Sequence, residues 1–308
     1  MPKLGFNLLV WTASISEKFF PHIERLKKIG YDGIEICMGQ TETEPYKQTA
    51  KLVRDLGLGI TCVTIVGADA NPVSPDPLVR AKALETLKWN IDRTVDCGSR
   101  LLCGPFHSAF ATFTRADIHP DEYKRSAEVL HAAGEYAKQA GVILAPEALN
   151  RFECYLCNTM AQLRSLVELT NHPNVRAMFD AHHANVEEKT QADAVRTIAP
   201  VLAHVHLSEN DRGTPGSGHV QFKEALKALH GIGYEGWMVI EAFSRSDPGF
   251  ANAINVWREY NPAWDIAEQG HAFLRGEIAA AGYGAAVSFV GGVPSPREAV
   301  VTKSIPAG

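Results

Sequence analysis

The amino-acid sequence predicts a single-domain α/β protein that folds as a (β/α)8 TIM barrel. Eight short apolar runs alternate with longer amphipathic stretches along the chain of 308 residues, and no change in composition marks a second domain. A glycine stands where several of the helical patterns end, as the left-handed C-cap conformation favours. These glycines are Gly30, Gly57, Gly98, Gly141 and Gly231. Repeated βα units require a parallel sheet with right-handed crossovers, and eight such units close a barrel.

The first four units each predict a strand followed by an amphipathic helix. The strands are expected at residues 4–10, 33–37, 59–66 and 100–103. The helices are expected at residues 16–29, 45–56, 78–97 and 121–140. The first helix shows the pattern most clearly, because its apolar residues recur at steps of three and four. Those residues are Phe19, Phe20, Ile23, Leu26 and Ile29.

The last four units follow the same rhythm, and each of their strands ends in a side chain that can bind a metal ion. The short apolar runs end at Glu147, Asp180, His206 and Glu241. The accompanying helices are expected at residues 160–169, 191–198, 222–229 and 265–280. The Glu-Glu-Lys segment at residues 187–189 is interpreted as the solvated start of a helix.

An open, doubly wound sheet is the alternative arrangement of such units. Sheets of that kind often carry a Gly-x-Gly-x-x-Gly sequence after the first strand, and none occurs here. We therefore expect residues 1–285 to form the barrel as one catalytic domain. Residues 286–308 depart from the repeat and include a stretch rich in glycine and proline. They are expected to form a C-terminal extension that is loosely ordered or lies at a subunit contact.

Composition argues against several classes of partner. The formal net charge is −5 and the basic residues are scattered, so no nucleic-acid surface is predicted. No apolar run approaches the roughly 18 residues that a membrane span needs. The N-terminal segment also lacks the charged and apolar regions of a secretory signal. We expect a cytoplasmic protein with no membrane or nucleic-acid partner.

Six cysteines occur in the chain, and none is expected to carry chemistry. Cys37, Cys62 and Cys103 lie in apolar, strand-like segments, where a free thiol behaves as a small apolar side chain. Cys154 and Cys157 have the C-x-x-C spacing. However, no second pair completes a structural zinc site, and the pair does not open a thioredoxin-type helix.

The four polar residues at the ends of strands five to eight form the candidate site. The carboxyl ends of barrel strands face one mouth, so Glu147, Asp180, His206 and Glu241 should be neighbours around half of it. A single acid of this kind is usually an ion-pair partner, but four on successive strands indicate a shared metal site. Three carboxylates and one imidazole favour Mn²⁺, Co²⁺ or Mg²⁺ over the sulfur-rich sites of structural zinc.

Three further polar side chains follow these strand ends. Glu153 lies six residues after the end of strand five, His183 three residues after strand six, and Arg212 six residues after strand seven. A carboxylate, an imidazole and a guanidinium are suited to binding adjacent sugar hydroxyls or a carbonyl oxygen. Taken singly, His182 and His183 are equally typical of ordinary loop histidines.

Four segments of the second half resemble the ketose 3-epimerases, which are the D-tagatose, D-allulose (psicose) and L-ribulose 3-epimerases of the xylose-isomerase-like barrel superfamily. The segments are EALNRFE at residues 147–153, FDAHHANVEE at 179–188, HVHLSENDR at 204–212 and IEAF at 240–243. They occur in the order found in that family, and the weaker resemblance extends from the first strand to about residue 274. Where relatives often place a tryptophan against the sugar, this chain offers Phe106, Phe110 or Phe113.

The resemblance implies a function and a set of roles. It implies one divalent metal ion per subunit, held by Glu147, Asp180, His206 and Glu241. It implies that two of these, Glu147 and Glu241, also act as the acid–base pair. It implies that three residues hold the substrate near its carbonyl end, namely Glu153, His183 and Arg212. It further implies a small ketose as substrate and a homodimer or homotetramer as the assembly.

Epimerisation at C3 explains why two carboxylates are needed. The hydrogen at C3 is α to the C2 carbonyl, and inversion requires proton removal on one face and delivery on the other. A metal ion would stabilise the enediolate charge. Three alternatives stay open: an aldose–ketose or hydroxypyruvate-type isomerase, a metal-dependent abasic-site endonuclease, and a non-catalytic sugar-binding protein. The net charge of −5 argues against the endonuclease, and the paired glutamates argue against the binding protein.

Overall fold

Eight parallel strands form the sheet of this protein, described in a computed structural model that covers residues 1–39 and 41–284. The strands are β1 (Lys3–Asn7), β2 (Gly33–Cys37), β3 (Gly59–Val63), β4 (Leu101–Gly104), β5 (Ile143–Pro146), β6 (Ala177–Asp180), β7 (Leu202–Leu207) and β8 (Trp237–Ile240). Their order is β5-β4-β3-β2-β1-β8-β7-β6. A parallel bridge between Leu144 and Val175 joins β5 to the chain just before β6. The predicted (β/α)8 barrel is confirmed.

Helices connect the strands and cover the outside of the barrel. Those in the described residues are α1 (Phe20–Ile29), α2 (Glu44–Asp55), α3 (Pro77–Asp96), α4 (Pro120–Ala140), α5 (Met160–Thr170), α6 (Ala181–Glu187), α7 (Gln191–Ile198), α8 (Phe222–Gly231), α9 (Pro248–Ala253) and α10 (Ala263–Ala280). The predicted extension at residues 286–308 lies outside the described residues, as does the last residue of the predicted catalytic domain.

Side chains along each strand alternate between the helix layer and the barrel interior, because successive residues of a strand point to opposite faces. In β2, Ile34 and Ile36 join the large apolar core between the sheet and the helices. Glu35 and Cys37 lie on the other face, where Cys37 packs against the smaller core inside the barrel. The polar residues of the strands are therefore concentrated on the inner face.

A tryptophan fills the N-terminal end of the barrel interior. The indole ring of Trp237 lies against Gly33 and Gly59, and Lys3 Nζ sits 5.2 Å from the centroid of the Trp237 ring. A Cβ atom at Gly33 would meet this ring and would lie 2.5 Å from Gly59 O. Both glycines are needed here because the ring and the neighbouring strand approach their backbones so closely.

Two strands, β1 and β3, are shorter than the sequence predicts. The expected strand at residues 4–10 ends at Asn7, whose side chain accepts a hydrogen bond from Leu9 N (2.8 Å) and caps a 3₁₀ turn over Leu8–Val10. The expected strand at residues 59–66 ends at Val63.

The helix expected to begin at residues 187–189 instead ends there. Asp180 accepts a hydrogen bond from His182 N (2.6 Å) and starts α6, which ends at Glu187. Glu187 is not solvated: its carboxylate is nearly buried and forms a 2.7 Å ion pair with Arg151. The short helix α9 was not predicted at all. Likewise, the left-handed glycine after α8 is Gly233 rather than the expected Gly231.

Candidate metal centre and active site

The four predicted metal ligands meet at the carboxyl ends of β5 to β8. Glu147 directly follows β5, Asp180 ends β6, His206 lies near the end of β7 and Glu241 directly follows β8. All four side chains are buried, and one ligand-type atom from each lies within 4.8 Å of the others. His206 Nδ1 is 3.4 Å from Glu241 Oε1 and 4.0 Å from Asp180 Oδ2.

The donor set of this cluster fits a divalent cation. Two of its buried atoms, Glu147 Oε1 and His206 Nδ1, have no hydrogen-bond partner among the described residues. An unpaired buried polar atom costs about 1–3 kcal/mol. Two of the three carboxylates pair with the single guanidinium of Arg212, so the fully ionised cluster would carry excess negative charge. A cation with a preference for oxygen and imidazole ligands would satisfy the free atoms and balance the charge.

Arg212 places a buried guanidinium against two of the candidate ligands. Its Nη1 is 3.0 Å from Asp180 Oδ2 and 2.9 Å from Glu241 Oε2. Burial lowers the pKa of Arg212, but the surrounding carboxylates outweigh this effect and raise it, so the group stays charged. The backbone φ of Arg212 is 62°, in the left-handed region that is uncommon for residues other than glycine. Such strained positions are concentrated at functional sites.

His183 directs a nitrogen atom toward the same cluster. Its Nδ1 lies 3.0 Å from Asn150 N, which is a hydrogen-bond donor. Nε2 lies 3.5 Å from Glu147 Oε1 and 2.9 Å from Arg212 Nη2. Burial and the charge of Arg212 lower the pKa of His183 well below its ordinary value, which keeps the ring neutral. Asn150 N and Arg212 Nη2 are both donors, so a neutral His183 ring can accept a hydrogen bond from only one of them. The guanidinium of Arg212 carries several N–H groups and could also donate to an oxygen atom of a bound molecule.

Glu153 lies beside these donors. Its carboxylate accepts a hydrogen bond from Asn150 Nδ2 (2.9 Å), and burial raises the pKa of Glu153 although Arg212 opposes this shift. Glu153, His182 and His183 form a second group whose ligand-type atoms lie within 4.8 Å of one another. His182 Nδ1 is 3.0 Å from the carbonyl oxygen of Glu209, so the backbone holds this ring.

The two glutamates of the predicted acid–base pair have opposite pKa shifts. Burial and the negative charges of Glu241 and Asp180 raise the pKa of Glu147 well above its ordinary value. Burial also raises the pKa of Glu241, but His206 and Arg212 outweigh it and lower the pKa overall. The surroundings thus push the pKa values of the two carboxyl groups apart, a pattern found in acid–base pairs.

Comparison with known proteins identifies the family. A family profile described as xylose isomerase-like TIM barrel matches residues 23–276. The D-psicose 3-epimerase of Agrobacterium fabrum is 30% identical over 270 residues, which cover 86% of this chain and 93% of that protein. The chain belongs to the ketose 3-epimerases of this barrel family. The L-ribulose 3-epimerase of Mesorhizobium japonicum is also 30% identical, over 89% of this chain and 93% of its own length.

Solved structures of ketose 3-epimerases superpose closely on this one. A structure of L-ribulose 3-epimerase has a TM-score of 0.86 at 31% identity and covers 91% of this chain and 96% of its own. A D-allulose 3-epimerase from a Methylomonas species, in complex with D-allulose, has a TM-score of 0.83 at 27% identity, with 90% and 97% coverage. The similarity therefore extends over nearly the whole length of both chains.

A cavity of about 390 Å³ opens above the cluster of this ketose 3-epimerase, within the size range of small-molecule sites. Its polar lining includes the predicted acid–base pair and the predicted substrate contacts, which are Glu147, Glu241, Glu153, His183 and Arg212. Its apolar lining comes from loops on several sides and includes Leu9, Val63, Phe110, Phe243 and Val256. A bound sugar would thus meet polar groups at the floor and apolar walls above.

One of the three candidate phenylalanines lines this cavity. Phe110 does so, whereas Phe106 is fully buried away from the lining and Phe113 packs against Tyr155 with ring centroids 6.5 Å apart. Sequence reasoning could not choose among them, because all three lie in one long loop.

Cys154 and Cys157 are buried free thiols. No helix of the described residues has the length and apolarity needed to span a membrane.

Sequence analysis missed a buried polar network directly below the cluster. Its centre is Glu35, which is fully buried in the interior of β2 and contacts His204 and His206 of β7. A signal for Glu35 was present, because a carboxylate between two isoleucines of a buried strand needs partners in the interior. The sequence signal for His204 was weaker. It consists only of the two-residue spacing from His206, which places both side chains on the same face of the strand.

Proposed function

We propose that this protein epimerises free ketoses at C3, with one divalent cation held by Glu147, Asp180, His206 and Glu241. The observation that carries this proposal is the pairing of two buried glutamates at the floor of a sugar-sized cavity. Membership of the ketose 3-epimerases supports it, and relatives named for D-psicose and L-ribulose suggest the substrate class. We further propose Mn²⁺ or Co²⁺ as the ion, with Mg²⁺ as a third possibility.

In the proposed reaction, Glu147 and Glu241 exchange one proton each with the two faces of C3. The carboxylate of one glutamate removes the C3 hydrogen as a proton, and the electron pair moves toward the C2 carbonyl. The other glutamate, in its protonated form, delivers a proton to C3 from the opposite face. A bound divalent cation would supply Lewis-acid stabilisation of the negative charge on the neighbouring oxygen atoms. Each turnover exchanges the protonation states of the pair, and the reaction is reversible.

The remaining polar residues are proposed to orient the sugar. Glu153, His183 and Arg212 would bind the carbonyl end of the ketose. The N–H groups of Arg212 suit a carbonyl or hydroxyl oxygen, and His183 and Glu153 suit adjacent hydroxyls. The apolar walls would exclude water from the reacting carbon.

The assembly and location are also proposals. We propose a homodimer or homotetramer, located in the cytoplasm, that acts on a small unphosphorylated ketose. The resemblance of the sequence to the ketose 3-epimerases supports the assembly.

A product assay tests the proposed function. The metal-loaded protein would be incubated separately with D-fructose, D-tagatose and L-ribulose, and the sugars separated by chromatography. We expect the C3 epimer of at least one sugar to appear, and treatment with a chelator followed by added Mn²⁺ to abolish and then restore the activity. Formation of an aldose without any C3 epimer would instead establish the isomerase alternative.

A further inference from the structure

Glu35 is a carboxylate of the barrel interior with five polar side-chain contacts. It lies on β2, below the four candidate ligands, and has no exposed surface. Its partners come from four other strands: Asn7 Nδ2 (2.9 Å), Thr61 Oγ1 (2.9 Å), Cys103 Sγ (3.4 Å), His204 Nε2 (2.8 Å) and His206 Nε2 (2.7 Å). A carboxylate accepts hydrogen bonds only, so every one of these groups must be a donor.

The contact with Glu35 determines which nitrogen of His206 is free. His206 Nε2 must carry its proton to donate to Glu35 Oε1, so a neutral ring has its lone pair on Nδ1. Nδ1 is the atom that faces Glu241 and Asp180, and it has no hydrogen-bond partner among the described residues. The carboxylate below thus presents the correct nitrogen to the cluster above.

The same network reaches the predicted acid–base pair. Asn7 Nδ2 donates to Glu35 Oε1 and lies 3.4 Å from Glu241 Oε1. The side-chain oxygen of Asn7 also accepts from Leu9 N, which fixes the amide orientation. Glu35 therefore contacts one candidate ligand directly and a second through a single, oriented amide.

We propose that Glu35 is a positioning residue that sets the tautomer and ring orientation of His206, and thereby the cation affinity of the centre. The proposal rests on the proposed function only in taking the cluster of Glu147, Asp180, His206 and Glu241 as the cation site. Outer partners of this kind orient metal-binding histidines in general, and their loss typically costs about 10- to 100-fold in metal affinity.

A second cation bound by Glu35 itself is the competing interpretation. The ligand-type atoms of Glu35, Cys103, His204 and His206 also lie within 4.8 Å of one another. However, both carboxylate oxygens of Glu35 already accept hydrogen bonds. Three of these hydrogen bonds come from groups other than the histidines, namely Asn7, Thr61 and Cys103. A cation there would have to displace these donors, so the geometry favours a positioning role.

Mn²⁺ titration of the metal-stripped protein, followed by electron paramagnetic resonance, tests the proposal without measuring turnover. In E35Q the side-chain NH₂ is a donor and would face the N–H donor of one histidine. That histidine would have to change its tautomer or rotate its ring. We expect E35Q to weaken Mn²⁺ binding by about 10- to 100-fold. The matched variant T61V removes one donor to Glu35 but keeps the carboxylate, and it should bind Mn²⁺ nearly as wild type does.

Three outcomes would overturn the positioning role. Equal affinity in wild type and E35Q would show that Glu35 does not control the site. Binding of two Mn²⁺ ions per wild-type chain, falling to one in E35Q, would make Glu35 a ligand. No binding to wild type would remove the metal centre of the proposed function and the positioning role with it.

A second measurement needs no variant that could fail to fold. Nitrogen-15 NMR of the histidine rings, in wild-type protein loaded with diamagnetic Zn²⁺, reports which ring nitrogen carries the proton. We expect the His206 proton on Nε2 and a metal-induced shift at Nδ1. A proton on Nδ1 with the metal at Nε2 would contradict the proposal even if Mn²⁺ affinity depends on Glu35.

Discussion

At the scale of single residues, the chemistry depends on how the surroundings separate two similar carboxyl groups. Burial and the neighbouring acids Glu241 and Asp180 raise the pKa of Glu147. Glu241 contacts His206 on one side and Arg212 on the other. Burial raises the pKa of Glu241, but these two contacts outweigh burial and lower the pKa overall. A divalent cation would lower the pKa of both groups, since bound cations dominate the local field. The difference between their surroundings would still be present.

Replacement of either glutamate by glutamine tests their assigned role. Glutamine keeps an oxygen atom that can face a cation but cannot exchange a proton, so E147Q and E241Q should each lose at least roughly 10²-fold in kcat. Steady-state kinetics on the best ketose would measure this loss. E135Q, which changes an exposed acid that pairs with His172 on the outside of the barrel, serves as the control. Turnover near the control value in either site variant would remove it from the acid–base pair.

The residues of the cluster could be predicted from sequence, because each one ends an apolar run and the strand ends meet by topology. The centre of the supporting network could not be predicted in the same way. Glu35 stands inside a strand, and its partners Asn7 and Thr61 belong to strands that are distant in sequence. Which inward-facing residues touch depends on the register between strands, and a shift of that register by two residues would leave the same side chains on the same face.

At the scale of secondary-structure elements, glycines on adjacent strands leave room for one large ring. Gly33 pairs with Gly5 on one side and with Gly59 on the other, so small residues align across three strands. The indole of Trp237 occupies the space next to Gly33 and Gly59. This arrangement closes the end of the barrel opposite the cavity, where the strands carry no candidate site residues.

The G33A variant should be less stable than wild type. Its new methyl group would overlap the Trp237 ring and the backbone of Gly59, and overpacking of this kind typically costs about 1–3 kcal/mol. Urea unfolding followed by circular dichroism would measure the change. The control is G276A on the exposed side of α10, which meets no atom within 4 Å and should stabilise the helix by about 0.5–1 kcal/mol. Equal stability of G33A and wild type would mean that the ring can move aside.

Elements with strong periodic patterns were predicted well, and short capped elements were not. The strand at Gly33–Cys37 and the helix at Gln191–Ile198 have the predicted bounds. In contrast, α6 begins because Asp180 caps it, and seven residues are too few to show an amphipathic period. Helix α9 begins in the same way, with Asp247 accepting from Phe250 N. A cap is recognisable in sequence only when a long helix follows it.

At the scale of the whole molecule, the two halves of the barrel supply different parts of the candidate site. The half formed by β5 to β8 supplies all four candidate ligands and also His204 of the supporting network. The half formed by β1 to β4 supplies the other members of that network, which are Asn7, Glu35, Thr61 and Cys103. The resemblance to the ketose 3-epimerases was likewise strongest in the second half. This agreement is expected if the second half carries the chemistry and the first half holds it in position.

The central claim is that the protein exchanges the C3 proton of a ketose through two glutamates. The most direct measurement is proton NMR of D-fructose, D-tagatose and L-ribulose that have been incubated with the metal-loaded protein in D₂O. The metal ion is removed with a chelator after the incubation, before the spectra are recorded. We predict loss of the C3 proton signal together with signals of the C3 epimer that carry deuterium at C3. Exchange at C1 with formation of an aldose, or full retention of the C3 proton in every sugar, would contradict the account.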